Sequence, residues 1–377
     1  MIPINRPWID EEEKKEVMKV LDENILTSAS REGGKRVQEF ENSLKDFLNV
    51  KHVISVNSGT AALHAALLSI GIKSGDEVLL PSFTFVATAN SVIATGAKPV
   101  FVDINKKDYT IDTQDLRKKI TNRTKAIIPV HLYGHPADLN EIIDISNSFS
   151  LDIIEDACQS LGSTYKDKHT GTFGKLGCFS LYASKVLTSG EGGAVSTNDD
   201  NIADILKMIR NHGMVEGYDT RIFGLNYRLP EISAAIAKIQ MKKIKNILEV
   251  RRKNSILLSN LLEKFIEQIK TLKIPEEDHI KKFNWYLYTL CFLGTKDSLL
   301  REHIKKKLIE NGIGIAIYYD PPVHLTPYYR KFGFEGLLPS TEWASKCVLS
   351  LPVHPFVSET DIEQIADLLK KELSIFQ

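Results

Sequence analysis

His52-Val-Ile-Ser-Val56, Asn57-Ser-Gly-Thr60 and Ala61-Ala-Leu-His-Ala-Ala-Leu-Leu-Ser-Ile70 follow one another without a break. Five mostly β-favouring residues lead into a polar turn and then into an Ala- and Leu-rich run. The stretch therefore reads as a strand over His52–Val56, a turn, and a helix over Thr60–Ile70. The unit recurs downstream. Glu77–Leu80, Pro99–Val102, Lys125–Val130 and Asp152–Glu155 read as strands, with helices over Thr84–Thr95, Asp112–Ile120 and Asp138–Ser148 between them. Such alternation predicts an α/β fold with a mostly parallel sheet and helices on both faces. Ligands of open sheets of this class sit at the carboxyl ends of the strands.

Outward from that region the pattern changes. Asp10 followed by Glu11, Glu12 and Glu13 predicts a capped helix running to about Asn24. A polar, glycine-bearing loop over Ile25–Gly34 and a second helix over Lys35–Leu48 follow. Past about residue 230 a long basic amphipathic helix runs from Pro230 toward Phe265. Then come a strand over Trp285–Leu293, a helix over Asp297–Asn311 stopped by Gly312, a strand over Gly314–Tyr319, and a last helix from near Ser358. A chain of 377 residues exceeds one compact core. The expected division is a large domain over residues 1–245 and a smaller α+β domain over residues 246–377.

Lys plus Arg and Asp plus Glu both number 48, so the formal net charge is zero and nothing draws the chain to nucleic acid. No apolar run is long enough to span a bilayer, and the first ten residues lack a signal-peptide pattern. Cys158, Cys178, Cys291 and Cys347 are widely spaced, with no Cys-x-x-Cys pair. Structural zinc and a disulfide framework are not expected, and reduced thiols in a cytoplasmic protein are. The histidines His131, His135, His324 and His354 show no metal-ligand spacing, so no metal site is expected either.

Chemistry concentrates at the strand ends. In Cys178-Phe-Ser-Leu-Tyr-Ala-Ser-Lys185 a short apolar run ends at Ser180, and a single lysine follows among hydroxyls, ahead of Gly190-Glu-Gly-Gly193. Alone, this reads equally well as a reactive amine and as a hairpin with a solvated lysine. Ser58-Gly59-Thr60, at the start of a helix, can offer free N–H groups to a phosphate or can simply cap the helix. Neither G-x-x-x-x-G-K-[ST] nor a G-x-G-x-x-G after the first strand occurs. Ile153-Ile-Glu-Asp156 ends a strand in acids, with Gln159 close behind, and an aspartate in that place can also simply cap a helix. A carboxylate and a lysine at neighbouring strand ends are what a pyridoxal phosphate site needs, one holding the pyridine nitrogen protonated and the other supplying the amine. Phe85, just past another strand, is able to stack on a flat ring or to serve the core.

Taken together, Asn57-Ser-Gly-Thr-Ala-Ala-Leu63, Gly75-Asp-Glu-Val-Leu-Leu-Pro81, Glu155-Asp-Ala-Cys-Gln-Ser160, Phe179-Ser-Leu-Tyr-Ala-Ser-Lys185, Gly190-Glu-Gly-Gly193 and Gly224-Leu-Asn-Tyr-Arg-Leu-Pro-Glu231 resemble the DegT/DnrJ/EryC1/StrS sugar aminotransferases. The resemblance runs essentially the whole length. It implies the fold type I pyridoxal-phosphate transferase architecture, with a mostly parallel seven-stranded sheet sandwiched by helices and a smaller α+β C-terminal domain. It makes Lys185 the Schiff-base lysine and proton shuttle, and Asp156 the partner of the pyridinium nitrogen. Gln159 is placed near the ring hydroxyl and Phe85 on the ring face. Ser58, Gly59, Thr60 and Ser180 are assigned to the phosphate, with Asn226 reaching it from a partner subunit. Arg228 crosses the same interface, and Tyr318 and His324 lie near the sugar. A homodimer with shared active sites is implied, its pocket shaped partly by the Thr27–Gly34 loop of the other subunit.

Two positions depart from the family pattern: Val186 stands where asparagine is more frequent, and Phe85 where Tyr, Trp or His is. Lys185 itself sets the chain apart from the subgroup that carries histidine there and dehydrates sugars. The opening Ile2-Pro-Ile-Asn-Arg-Pro-Trp-Ile9 resembles the branch acting at C4 of 4-keto-6-deoxy nucleotide sugars. The expected activity is amino transfer from L-glutamate to a keto-sugar nucleotide by a ping-pong route, in amino-sugar and polysaccharide biosynthesis. C3 specificity, sugar dehydration and a regulator that binds the cofactor without turnover are the alternatives.

Overall fold

The structure, a computed structural model, describes residues 1–269, 271–293, 297–332, 334 and 336–375. Two helices come first. In α1 (Glu11–Glu23) the Asp10 carboxylate accepts from Glu12 N, and the Glu13 carboxylate accepts from Asp10 N at 2.9 Å, forming a capping box. In α2 (Lys35–Leu48), Val37, Phe40, Leu44 and Leu48 fall on one buried stripe.

Strands and helices then alternate through β1 (His52–Val56), α3 (Gly59–Ser69), β2 (Glu77–Pro81), α4 (Val86–Ala94), β3 (Lys98–Val102), α5 (Thr113–Lys119), β4 (Thr124–Ile127), α6 (Leu139–Phe149) and β5 (Asp152–Asp156). A small hairpin, β6 (Thr164–Tyr165) and β7 (Lys168–His169), precedes β8 (Leu176–Ser180), β9 (Gly193–Thr197) and α7 (Asp200–Arg210). The seven-stranded sheet has the order β1-β9-β8-β5-β4-β2-β3. All neighbours from β8 to β3 are parallel, while β9 runs antiparallel to both β8 and β1. Every residue of β2 is buried, as a parallel strand covered on both faces requires.

The register decides where the site lies. Val56 and Ser180 both pair with Gly193, and Asp156 pairs with Cys178. The carboxyl ends of β1, β8 and β5 are thereby brought to one edge of the sheet, with the start of β9 between the first two.

A single helix, α8 (Glu231–Ile269), leads into the C-terminal part, and residue 245 falls inside it. There β10 (Leu272–Lys273), β12 (Tyr288–Phe292) and β13 (Val348–Leu351) form an antiparallel sheet, accompanied by α9 (Asp297–Glu310), α10 (Pro327–Arg330), α11 (Pro339–Cys347) and α12 (Glu359–Ser374). This sheet and its helices enclose an apolar core of their own, including Leu258, Leu262, Leu290, Ile365 and Leu369. The remaining strand, β11 (Lys281–Lys282), adds to the β6–β7 hairpin and ties the two parts together.

Two expected strands come out differently. Trp285 adopts φ +53°, so regular pairing starts only at Tyr288. Gly314–Tyr319 forms no strand: Ile313 just ahead of it bridges Ile2, and within it only Ala316 makes a bridge, to Ser350. Past the second bridge this segment turns to the large sheet, where the Tyr133 hydroxyl donates to Tyr318 O.

Candidate active site

At the edge defined by that register lies a cavity of about 460 Å³. Its wall includes Ser58, Gly59, Thr60, Phe85, Asp156, Gln159, Ser180, Lys185 and Tyr318, all expected from the sequence. A larger cleft of about 630 Å³, between Asn105–Gln114 and the 273–283 segment, contains neither Lys185 nor Asp156. Its size does not make it the reactive centre.

The two acids that end β5 are sorted by the pleat, because successive side chains point to opposite faces. The buried Glu155 carboxylate accepts from Gly171 N, Phe173 N and Gly174 N and pairs with the buried His131 Nε2 at 2.9 Å. That carboxylate is fully used in holding the loop before β8. Asp156 faces the cavity instead. Its Oδ2 accepts from Thr88 Oγ1 at 2.8 Å and its Oδ1 from Cys158 N at 3.2 Å. Burial and the adjacent Asp156 push the Cys158 thiol far up, so it stays protonated beside the site.

Gln159 is held in one orientation. Its Oε1 accepts from Tyr133 N at 2.9 Å, which directs Nε2 to the Tyr319 hydroxyl at 2.8 Å. Burial, with Tyr286 nearby, raises the Tyr319 phenol well above its ordinary value. Lys185 follows β8 on a turn, its N donating to Tyr182 O at 2.9 Å. Its Nζ lies 4.7 Å from the centre of the Tyr286 ring. Phe85 is 57% exposed at the rim, with its ring free to cover a flat ligand.

The start of α3 is an anion cradle. Ser58 Oγ caps Ala61 N at 3.1 Å, and the first intrahelical bond runs from Ala62 N to Ser58 O, leaving the Gly59 and Thr60 amides ahead of it. A Cβ on Gly59 would stand 2.8 Å from Ser180 Cβ and 3.1 Å from Cys158 Sγ. Only glycine lets the helix start come this close to Ser180. The arrangement joins a phosphate cradle, a flat slot under Phe85, a carboxylate and an amine, and so fits the cofactor that the resemblance implies.

Three expected residues lie elsewhere in this chain. Asn226 is exposed and contributes its carbonyl to Asn57 Nδ2 at 3.2 Å. Arg228 Nη1 donates to Asn211 Oδ1 at 2.7 Å. Neither lines the cavity of its own chain. His324 is buried, with Nδ1 2.6 Å from Ser82 Oγ and Nε2 3.5 Å from Glu342. It borders a groove along β3 rather than the cavity. Conversely, Thr88, Tyr286 and Tyr319 line the cavity without having been singled out. Thr88 lies in the helix expected over Thr84–Thr95, four residues after Thr84 and so on the same face. Tyr286 and Tyr319 come from the C-terminal part, and no local spacing links them to the strand ends.

Comparison with known proteins agrees along the whole chain. The profile of the DegT/DnrJ/EryC1/StrS aminotransferase family matches residues 7–370. The GDP-perosamine synthase of Escherichia coli O157:H7 is 33% identical, covering 98% of this chain and 98% of its own length. A pleiotropic regulatory protein of Geobacillus stearothermophilus is 36% identical, covering 97% and 99%. Among solved structures, Helicobacter pylori PseC, an aminotransferase involved in the biosynthesis of pseudoaminic acid, superposes with a TM-score of 0.92 at 30% identity over 100% of each chain. Sheet order, cavity and whole-length similarity converge, and the chain belongs to the DegT/DnrJ/EryC1/StrS aminotransferase family.

Proposed function

We propose that this protein transfers an amino group from L-glutamate to C4 of a nucleotide-linked 4-keto-6-deoxyhexose. It works with pyridoxal phosphate, by a ping-pong route, as a homodimer with shared sites. The observation that carries the reading is the meeting of Lys185, Asp156 and the α3 amides in one cavity. Bound there, pyridoxal phosphate supplies a carbonyl for amines and a ring that takes up the electron pair when a proton leaves carbon. Gly59 N, Thr60 N and Ser180 Oγ hold its phosphate. Asp156, oriented by Thr88 and Cys158 N, keeps the ring nitrogen protonated. Phe85 covers one ring face and excludes water. With the cofactor bound, Lys185 Nζ would take up the proton that leaves the α-carbon of glutamate and, in the second half of the reaction, would deliver a proton to the sugar carbon that receives the amine. Asn226 and Arg228, unused in their own cavity, are assigned to the partner's site.

The C4 assignment rests on the amino-terminal motif and on the perosamine synthase relative. Incubation with glutamate and a panel of 4-keto and 3-keto nucleotide sugars, read by mass, tests it. Aminated product from the 3-keto set alone would overturn it. Lys185→Ala is expected to reduce turnover by at least about a hundredfold; wild-type turnover would remove Lys185 from its role. The Geobacillus relative's name favours a second reading, a regulator without turnover. Glutamate-dependent gain of an amine on any sugar of the panel excludes it.

A further inference from the structure

Lys185 is surrounded by groups for which the proposed reaction has no use. The Tyr286 ring under its Nζ is 6% exposed. A cation over a tyrosine face is attracted by the ring quadrupole, more strongly where water is excluded. That ring is fixed at both ends. Tyr286 N donates to Asn284 Oδ1 at 2.9 Å, its carbonyl accepts from Arg251 Nη1 at 3.2 Å, and its hydroxyl lies 3.2 Å from Ser184 Oγ. Arg251, buried in the middle of α8, sends Nη2 to Asn5 Oδ1 at 2.9 Å. Asn5 Nδ2 in turn donates to Ser184 O. The bonds run from Ser184 to Asn5, to Arg251, to Tyr286 and back to Ser184. They join the amino-terminal segment, the long helix and the C-terminal part around the residue that precedes Lys185.

A lysine that alternates between a joined and a free state needs a fixed backbone and a defined place for the freed amine. Its four-carbon stem otherwise spreads the amine over many rotamers. We propose that Asn5, Arg251 and Tyr286 are positioning residues for Lys185: the circuit fixes the chain at Ser184, and the Tyr286 face seats the Lys185 amine whenever it carries a proton and is not joined to the cofactor. The proposal rests on the reading of Lys185 given above. It also gives Asn5, in the amino-terminal motif, a physical task apart from any choice of sugar carbon.

The test uses the full chain freed of cofactor. Lys185 is labelled with trinitrobenzenesulfonate at a fixed, mildly alkaline pH, and the rate is read from the mass of the peptide that carries it. Tyr286→Phe keeps the ring and leaves the Asn5 bond to the Ser184 backbone in place, so it should label within about twofold of the wild type, whereas Tyr286→Leu should label roughly three to ten times faster as the amine loses its seat. In the loaded enzyme Tyr286→Leu should lower kcat and leave the KM for glutamate unchanged, with Tyr286→Phe restoring kcat. Asn5→Ala should accelerate labelling in the same direction, and it decides the matter if Tyr286→Leu does not fold. Wild-type labelling in Asn5→Ala and in any folded Tyr286→Leu overturns the proposal. Equal acceleration in Tyr286→Phe also overturns it, because the hydroxyl and not the face would then hold the amine. Failure of the underlying reading shows separately, as turnover retained by Lys185→Ala.

Discussion

Thr88 reaches Asp156 from the first turn of α4, its Oγ1 donating to Oδ2 while Thr84 Oγ1 stands 3.0 Å behind it. Both Thr88 and Asp156 are buried, so water cannot replace this bond. Thr88→Val keeps the shape and deletes the hydroxyl, which frees the carboxylate to rotate and leaves one lone pair unsatisfied. Losing a buried hydrogen bond to a charged group amounts to about 1.5–3 kcal/mol, which at the transition state is roughly a tenfold or greater loss of kcat. Steady-state kinetics with glutamate and the keto-sugar acceptor measure it, and Thr88→Ser should recover most of the loss. A wild-type kcat in Thr88→Val would show that the orientation of Asp156 does not limit the reaction. The residues that could be placed together from sequence share one property: Asp156, Ser180, Lys185 and Ser58–Thr60 each sit just after a short apolar run. Strand-end position is a local signal. Thr88, Tyr286 and Tyr319 carry no such signal, because each is defined by a partner 68, 101 or 160 residues away. His324 shows the converse: a motif position whose ring is turned to Ser82 and Glu342.

The start of β9 governs the start of α3. Gly193 pairs with Val56 on one side and Ser180 on the other, and its Cα lies directly beneath the turn that opens the helix. A Cβ there would stand 2.4 Å from Ser58 O and 2.9 Å from Gly59 N, both backbone atoms that cannot swing aside. Gly193→Ala is expected to lift the amides off the phosphate position and weaken cofactor binding at least about tenfold, as one lost charge-assisted contact would. Gly190→Ala is the control. Gly190 has φ +82° but open space around it, so alanine there strains the backbone by about 1 kcal/mol without touching the cradle. Cofactor titration of the two apoproteins, with thermal unfolding alongside, separates the effects; equal affinities would sink the idea. At this scale the elements from α1 to β5 were legible because each apolar run carries its own period. The placement of β9 beside β1 was not, since that pairing joins residues more than a hundred positions apart. Nor was the loss of the Gly314–Tyr319 strand, where contacts to the large sheet override local β-propensity.

Across the whole molecule, neutral histidines hold distant parts of the chain together. His135, 3% exposed, stacks on Phe283 of the C-terminal part at 4.0 Å, and its Nε2 has no hydrogen-bond partner. Burial lowers it to about 4 against the attraction of Asp108. His354 donates from Nε2 to Pro3 O at 2.9 Å and accepts from Phe356 N at 3.2 Å, a pattern that only the neutral ring satisfies. Burial lowers it to about 4 as well, with Arg251 and Arg6 adding to the shift. His64, His169 and His324 are lowered too, each by burial first. An unfolded histidine titrates near 6.5. Below that value the unfolded chain binds protons that the folded chain refuses, so stability is complete above about pH 6.5 and falls as the pH drops toward 4. His135 alone contributes up to about 1.4 kcal/mol per pH unit within that window. Denaturant unfolding at fixed protein concentration, from pH 7 to pH 5, should therefore show a midpoint that declines steadily before most carboxylates begin to titrate. His135→Gln should shallow the slope by about one proton's worth, even where it lowers stability at pH 7, and His354→Gln should act in the same direction. A midpoint that stays level or rises between pH 7 and pH 5 would mean that these rings take up protons in the folded chain, and the seam between the two parts would then have to be held by other contacts.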